Sequence, residues 1–583
     1  MKQTVAKKHR PLMVKKFDTM LLGGTLTMMV VSILLMSDSV IAGIFIGSDA
    51  AAGINLVTPI YSLSAFFGSV FSLGVPIRYS LKMGQFEKKE ADRVFGTGLL
   101  MSVSVGIILF ILASVFGDAF IRGCHPSAQA LEQARSYLFW MRFTVLFLPL
   151  DMLMAEMVYN DGDDRISVIA NCVQGIGNLS FSLILSRVMG IVGLGLASFL
   201  FTFLSLATLF IHFFSKSNSL KLYFYFSPKV LFSIVRYSVI DASTYLWLGA
   251  GNAMLNWFVC THFGTDYLIL VSVITLCREF QLVFDGIGEA ITPIISVYLG
   301  EDCFPGVRTI YSRARRTAVF EGLVLILVMY VAAPLVPALL GIKNVKIMKL
   351  AIAGLRIVSL GSVFTSLLYL STSYYLLLDR ISLGLGVSAM RDVVVSVPAA
   401  LIFGLAFGIH GLFAGFALAS FIAWLFSSLF LRIRYGSDAP LLLKRRESGK
   451  EALLYSLDVE TSSVLATRDR LGEALEERGF DEKTVVRTQL VFEELFMLIY
   501  EKNPGRSIQA ECAVLIEGGR IRMISRDTGC KVDLSDPDME IDSLRSYVIS
   551  SVTNQISSQK HHLVTMSFNR NMIELEGNRA AKA

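Results

Sequence analysis

Asp164-Arg165-Ile166-Ser167 recurs as Asp379-Arg380-Ile381-Ser382, 215 residues further on, and each copy lies between two long apolar runs. The first copy is followed by an apolar stretch ending in Met189–Ala197 (MGIVGLGLA), the second by one ending in Phe407–Gly415 (FGIHGLFAG). Upstream, Ser72–Gly84 closes its run on Leu-Lys-Met-Gly before charges, and Gly288–Gly300 closes its own on Val-Tyr-Leu-Gly before charges. Two halves on one plan predict a duplicated membrane scaffold with a transport site between the repeats.

Composition points the same way. The 583 residues are 54% hydrophobic and 17% charged, with a mean hydropathy of +0.60. Such a chain cannot be an ordinary soluble domain; it reads as an all-α polytopic membrane protein. Apolar runs long enough to cross a hydrocarbon layer of about 30 Å lie near 19–45, 52–75, 94–116, 137–158, 167–187 and 190–214. Six more lie near 231–259, 267–298, 316–340, 356–378, 383–405 and 409–431. The sum is twelve spans, six plus six, and an even count puts both termini on one side. Lys2, Lys7, Lys8, Arg10, Lys15 and Lys16 before the first span, and Arg78, Lys82, Lys88, Lys89 and Arg93 after the second, make that side cytoplasmic. Arg308, Arg313, Arg315 and Arg316, then Arg432, Arg434, Lys444, Arg445 and Arg446, agree, whereas Lys343, Lys346 and Lys349 fall on the outer side. The first run is too long for a signal-peptide core and is expected to be retained in a multi-pass plasma-membrane protein. The net charge of +6 then belongs to loops beside anionic lipid, with no nucleic-acid partner expected. The seven cysteines show neither disulfide nor zinc spacing.

An ionisable residue inside a span costs roughly 2.5–3.5 kcal/mol on insertion scales, so each one retained there needs a reason. Asp38 lies well inside span one with no basic residue within a helical turn. A carboxyl group so placed can carry a proton or ligate a sodium ion through oxygen; the structural alternative is hydrogen bonding to neighbouring helices. Gln174, Asn178 and Ser182 in span five and Ser198 in span six are polar too, and Asn178 and Ser182, four apart, share a face. They can complete an oxygen-rich site or simply join helices. In the second half Asp241, Asn252 and Asn256 dot span seven, and Arg278, Glu279, Asp285 and Glu289 dot span eight. Asp241, Asp285 and Glu289 form a candidate second site, with Asp285 and Glu289 on one face.

Taken together and in order, these features resemble the multidrug and toxin extrusion (MATE) transporters, over roughly residues 15–435. The matching residues are Asp38 with Ala42 and Gly43, Leu81–Arg93 with its charged Gly-Gln-Phe-Glu-Lys-Lys-Glu-Ala-Asp-Arg loop, Asp161-Gly162-Asp163, Asn178, and Gly190–Ser198. The resemblance implies two six-helix bundles around a cavity that opens alternately to either side, exporting organic cations against sodium ions or protons. It makes Asp38 the coupling carboxylate, with Asn178, Ser182 and Ser198 around it. The chain departs from the pattern at Ser182, where many members carry an aspartate, and in span ten, where an acid of some members is replaced by residues such as Ser359, Thr365, Tyr369 and Ser371.

After Arg434 the chain turns polar, with a basic linker at 435–450. Amphipathic helices are expected at 463–479 and 483–502, a strand pair at 509–517 and 520–526 turning at Glu517-Gly518-Gly519-Arg520, a helix at 541–558, and two strands within 563–575. The order predicts a small cytoplasmic α/β sandwich. It resembles the histidine-kinase-type ATPase fold of bacterial anti-sigma-factor kinases at Glu493-Glu494, Arg526-Asp527-Thr528-Gly529 and Phe568-Asn569-Arg570. That resemblance nominates Glu494, Asp527 and Gly529 as nucleotide-binding residues. The magnesium-binding asparagine of active members is replaced by Met497 or Leu498, and no Gly-x-Gly lid appears at 544–549, so phosphoryl transfer is not expected. A degenerate sensing or docking module, with a cytoplasmic protein as its partner, is expected instead.

The domain plan is therefore a basic N-terminus (1–16), a first bundle (17–215), a linker (216–230), a second bundle (231–434), a linker (435–450) and the tail domain (451–583). The expected function is cation-coupled export of small organic cationic or amphipathic compounds, regulated by the tail and needing no cofactor beyond the coupling ion. A lipid or polysaccharide flippase is the alternative. A membrane sensor kinase is disfavoured because no histidine occurs between His410 and His561.

Overall fold

The computed structural model describes residues 11–577 apart from 85–87, 124–127, 162, 216–217, 219, 265–266, 268, 340–341, 343, 531, 533, 535–543 and 564–565. The first half comprises α1 (Leu12–Phe45), α2 (Ser48–Gly84), α3 (Lys88–Gly123) and α4 (Ala128–Asn160). It continues with α5 (Asp164–Cys172), a π-helical segment Val173–Gly177, α6 (Asn178–Met189) and α7 (Ile191–Phe210). The second half opens with α8 (Pro228–His262), α9 (Ile269–Gln281), α10 (Asp285–Gly300), α11 (Phe304–Ala332) and the short α12 (Val336–Leu339). It closes with α13 (Val345–Ser359), α14 (Ser362–Leu377), α15 (Ile381–Ala389), a second π segment Met390–Val394 and α16 (Ser396–Tyr435). Among the described residues eight helices are long and apolar enough to cross a membrane, or nine if the bent pair α13–α14 is one span. The chain is a multi-pass membrane protein.

The duplication is written into the backbone. Each half has its π segment, at Val173–Gly177 and Met390–Val394, and each has a left-handed glycine, Gly190 (φ 61°) and Gly408 (φ 67°). Gly408 breaks α16 into two helical runs. Three residues after each of these, Gly193 and Gly411 pack directly on the carbonyl oxygens of Leu185 and Phe403; a Cβ there would lie 2.3 and 2.0 Å from those oxygens. The π segments are 217 residues apart and both glycine pairs 218, against 215 for the tetrapeptide, so the second copy gains its extra residues after Ser382. Gly411→Ala is accordingly expected to lose about 1–3 kcal/mol through overpacking, seen as a lower thermal midpoint in detergent. Gly386→Ala, where a Cβ meets nothing within 4 Å, should be silent.

Around the expected tenth span the helix α13 begins at Val345, ahead of 356, and α13 and α14 meet at a bend of 47° between Ser359 and Ser362. Lys346 and Lys349, read as outer-loop residues, lie on α13, whose N-cap Asn344 accepts from the Lys346 and Ile347 amides at 2.9 and 3.4 Å. The charges disguised the helix because α13 is amphipathic rather than uniformly apolar. His212, fully buried, holds the Asp161–Asp163 loop through both carboxylates, at 2.8 and 3.1 Å.

The tail forms a five-stranded antiparallel sheet in the order β1-β2-β3-β5-β4. The strands are β1 (Lys450–Asp458), β2 (Gln509–Glu517), β3 (Arg520–Asp527), β4 (Gln555–Leu563) and β5 (Met566–Glu576). Helices α18 (Thr461–Glu476) and α19 (Glu482–Glu501) precede β2, α17 (Lys444–Glu447) precedes β1, and α20 (Leu544–Val552) precedes β4. The expected helix at 541–558 is thus too long: from Gln555 the chain pairs with β5 instead, and β1 was not foreseen at all. β4 is polar and takes its extended form from its ladder partner, whereas β1 carries Leu453, Tyr455 and Leu457 toward the core and was passed over beside the linker.

Contacts gather the described chain into two compact units. One contains the chain up to Gly23, Glu289–Arg316 and everything from Ser428; the other contains Gly24–Gly288 and Thr317–Ser427. In the first unit Ala510, Cys512, Val514 and Ile516 point into a core with α18, α19 and α20 residues such as Leu471, Phe492, Phe496 and Ile549. The strand period of two sends Glu511 to the opposite face, opposite Arg526, which in turn is opposite Arg570.

Candidate functional site

In the second unit, α1 carries Asp38 to the middle of the first bundle. Its Oδ2 accepts hydrogen bonds from Tyr137 Oη on α4 at 2.9 Å and Ser198 Oγ on α7 at 3.0 Å. Ser182, on α6, lies within interaction range of the same carboxylate and donates to Asn178 Oδ1 at 3.1 Å. Asp38 Oδ1 is buried without a hydrogen-bond partner among the described residues. All four residues nominated from the sequence are therefore gathered at one place. The π segment immediately before Asn178 widens the helix by one residue per turn and sets the direction in which the amide points. The arrangement offers a single carboxylate, one oxygen held and one uncommitted, with hydroxyl and amide oxygens beside it; such a set can take up a proton or a small hard cation. Tyr137 was missed, because a tyrosine in an apolar run carries no signal of its own. Tyr137→Phe removes one charge-assisted bond, and the midpoint of ion dependence in transport should shift by about tenfold.

The second bundle holds a different cluster. Arg391 makes a bidentate pair with Asp392, at 2.9 and 2.8 Å, and its guanidinium stacks 3.6 Å from the Tyr369 ring centroid. Arg278 donates to the Asp392 carbonyl at 3.3 Å and lies 3.7 Å from its carboxylate. Asp285 stands within electrostatic range of both Arg391 and Asp392. Of the nominated second site, then, Asp285 lies within electrostatic range of Arg391, Glu289 is exposed, and the Asp241 side chain lies outside the described residues. Arg391 and Asp392 were legible as charges inside the run 383–405 and were passed over. Arg391 and Asp392 hold the second and third places of the second π segment, as Gln174 and Gly175 do in the first.

In the tail, Asp527 Oδ1 accepts from the Gly529 amide and from Asn569 Nδ2, both at 2.9 Å, while Oδ2 is buried with no partner among the described residues. Asn503 Oδ1 accepts from the Cys530 amide at 2.8 Å, closing the turn. Burial pushes the Asp527 carboxyl above the ordinary range. Glu494 is engaged elsewhere, with Arg545 at 2.5 Å. Behind this turn lies a buried charge cluster unseen from the sequence. Glu511 accepts from Tyr298 Oη at 2.6 Å and Arg526 Nη1 at 2.8 Å. Glu301 pairs with Arg526 and, at 2.8 Å, with Arg570. Asp18 takes both prongs of Arg313 at 3.0 Å, and Lys450 reaches Asp302 at 2.7 Å.

Comparison with known proteins bears on the fold. Residues 25–184 match the MatE family model. None of the curated proteins matches the chain. Among solved structures, MATE in complex with MaL6 superposes with a TM-score of 0.64 at 18% identity, covering 72% of this chain and 96% of that one. An outward-facing multidrug resistance MATE transporter of the MOP superfamily gives 0.64 at 19% identity, with 72% and 95% covered. A MOP superfamily transporter from Pyrococcus furiosus, described as having a binding pocket of reverse polarity, gives 0.64 at 18%, again with 72% and 95% covered. The chain thus shares the MATE fold over 72% of its length and matches the MatE family in sequence over residues 25–184.

Proposed function

We propose that this protein is a MATE-type secondary transporter, not an enzyme. It exports small organic cationic or amphipathic compounds in exchange for sodium ions or protons, by alternating access of two six-span bundles in the plasma membrane. The observation that carries the reading is the Asp38 carboxylate, held on one oxygen by Tyr137 and Ser198 and uncommitted on the other. Ion uptake there changes the charge inside the first bundle, and a differential affinity between two conformations is what lets a gradient drive the cycle. Both termini are proposed to be cytoplasmic. The tail is proposed as a regulatory module that binds a nucleotide base at Asp527 and Gly529 without hydrolysing it, since Glu494 is bound to Arg545, and that offers a docking surface to a cytoplasmic protein.

A second reading, a flippase or an exporter of anionic compounds, is favoured by one observation: the two buried arginines Arg278 and Arg391 in the second bundle, together with the likeness to a transporter of reverse pocket polarity. Proteoliposomes separate the two. A fluorescent organic cation should accumulate only under an imposed sodium or pH gradient and be released by the matching ionophore. Gradient-independent scrambling of a labelled anionic lipid, without dye uptake, would establish the flippase instead.

A further inference from the structure

The first turns of α1 place Leu12, Lys15, Lys16 and Thr19 at i, i+3, i+4 and i+7, on one helix face. With Ser507, Gln509 and Thr528 they line a cleft of about 360 Å³, within the range of about 300–1,000 Å³ typical of small-ligand sites. All seven residues belong to the same compact unit. The lining is cationic and hydroxylic, and no carboxylate is part of it.

Its base is Lys16, only 1% exposed. The ammonium lies 4.1 Å from the Phe568 ring centroid and donates to no protein group among the described residues. Glu511, the carboxylate within electrostatic range of it, accepts from Tyr298 and Arg526 through Oε1, while its Oε2 makes no hydrogen bond among the described residues. Lys15, at the rim, donates to Gln509 Oε1 at 2.6 Å, and Gln509 is itself anchored on Asp458 at 3.2 Å. Thr19 donates to the Lys15 carbonyl at 3.1 Å, leaving its oxygen lone pairs toward solvent. The Lys16 ammonium thus keeps its hydrogen-bonding capacity unused among the described residues, and a buried ammonium in that state is unfavourable.

We propose that this cleft binds a phosphate-bearing anion, whose oxygens accept from the Lys15 ammonium and from the hydroxyls of Ser507 and Thr528, over the buried positive charge of Lys16. Lysines suit this task as point charges. Burial lowers Lys16 to about 8, against the opposing pull of Glu511. Because α1 supplies one wall and the turn after β3 the other, occupancy would brace the tail sheet against the entry to the first span. The chemistry is shared by an anionic phospholipid headgroup and by a soluble phosphate compound. The proposal is independent of the Asp38 reading.

The test uses the purified full chain. In one arm, thermal unfolding in detergent is followed with sodium pyrophosphate against sodium chloride at equal ionic strength. In the other, native mass spectrometry counts phosphatidylglycerol against phosphatidylcholine retained from mixed-lipid nanodiscs. Stabilisation by pyrophosphate assigns a soluble ligand; selective retention of phosphatidylglycerol assigns a headgroup. Either effect should weaken about tenfold or more in Lys16→Met, and also in the rim variant Lys15→Gln/Thr528→Val, which spares the buried side chain in case Lys16→Met does not fold. Absence of both effects in the unaltered protein, or equal effects in the rim variant, would overturn the proposal.

Discussion

Asp38→Asn is expected to reduce gradient-driven accumulation in proteoliposomes to the level of empty vesicles, with normal insertion and an unchanged thermal midpoint. The amide keeps the shape of the carboxyl group and one acceptor oxygen for Tyr137 and Ser198, so the local packing survives. What disappears is the charge that a proton or sodium ion would neutralise. An ionisable group inside a span is unfavourable by roughly 2.5–3.5 kcal/mol on insertion scales, so its removal should not unfold the bundle. With no ion to distinguish two conformations, nothing biases the cycle. Undiminished gradient-dependent export by Asp38→Asn would remove this carboxylate from the coupling mechanism and redirect attention to Asp285 and Asp392.

The other large effect is expected at Arg526. Its guanidinium is fully buried and separates two buried carboxylates, Glu511 at 2.8 Å and Glu301. Arg526→Met leaves those two groups without their shared counter-ion, a loss of about 3–5 kcal/mol by analogy with broken buried pairs. The tail should become open to protease well below the temperature at which the unaltered protein is cut. Neutralising the stranded Glu511 as well, in Arg526→Met/Glu511→Gln, should recover most of the loss, because Glu301 keeps Arg570 and the penalty comes from uncompensated charge and not from lost volume. If the single and double variants were equally fragile, packing against Tyr298 would be the true contribution of Arg526.

Much of the scaffold was legible before any coordinates. The repeated tetrapeptide located equivalent turns, and the π segments and left-handed glycines recur at nearly the same offset. The Asp38 pocket was legible in four of its five members, because a lone carboxylate and an Asn–Ser pair stand out in apolar helices. The fifth, Tyr137, did not stand out. Tail strands β2 and β3 were located almost to the residue by their apolar alternation and glycine turn, whereas β4, a polar segment that is a strand because its neighbour offers a ladder, and β1, beside the basic linker, were not.

What the sequence determined by itself is a duplicated multi-pass helical chain with a charged, folded tail, since hydropathy and turn chemistry act locally and can be read along the chain. What the tertiary structure decided is which distant charges meet. Arg391 with Asp392 beside Arg278, Arg526 between Glu301 and Glu511, and Lys16 beneath Phe568 join residues up to hundreds of positions apart. Electrostatic compensation of a buried charge depends on distances of a few ångströms in space, and separation along the chain does not encode them.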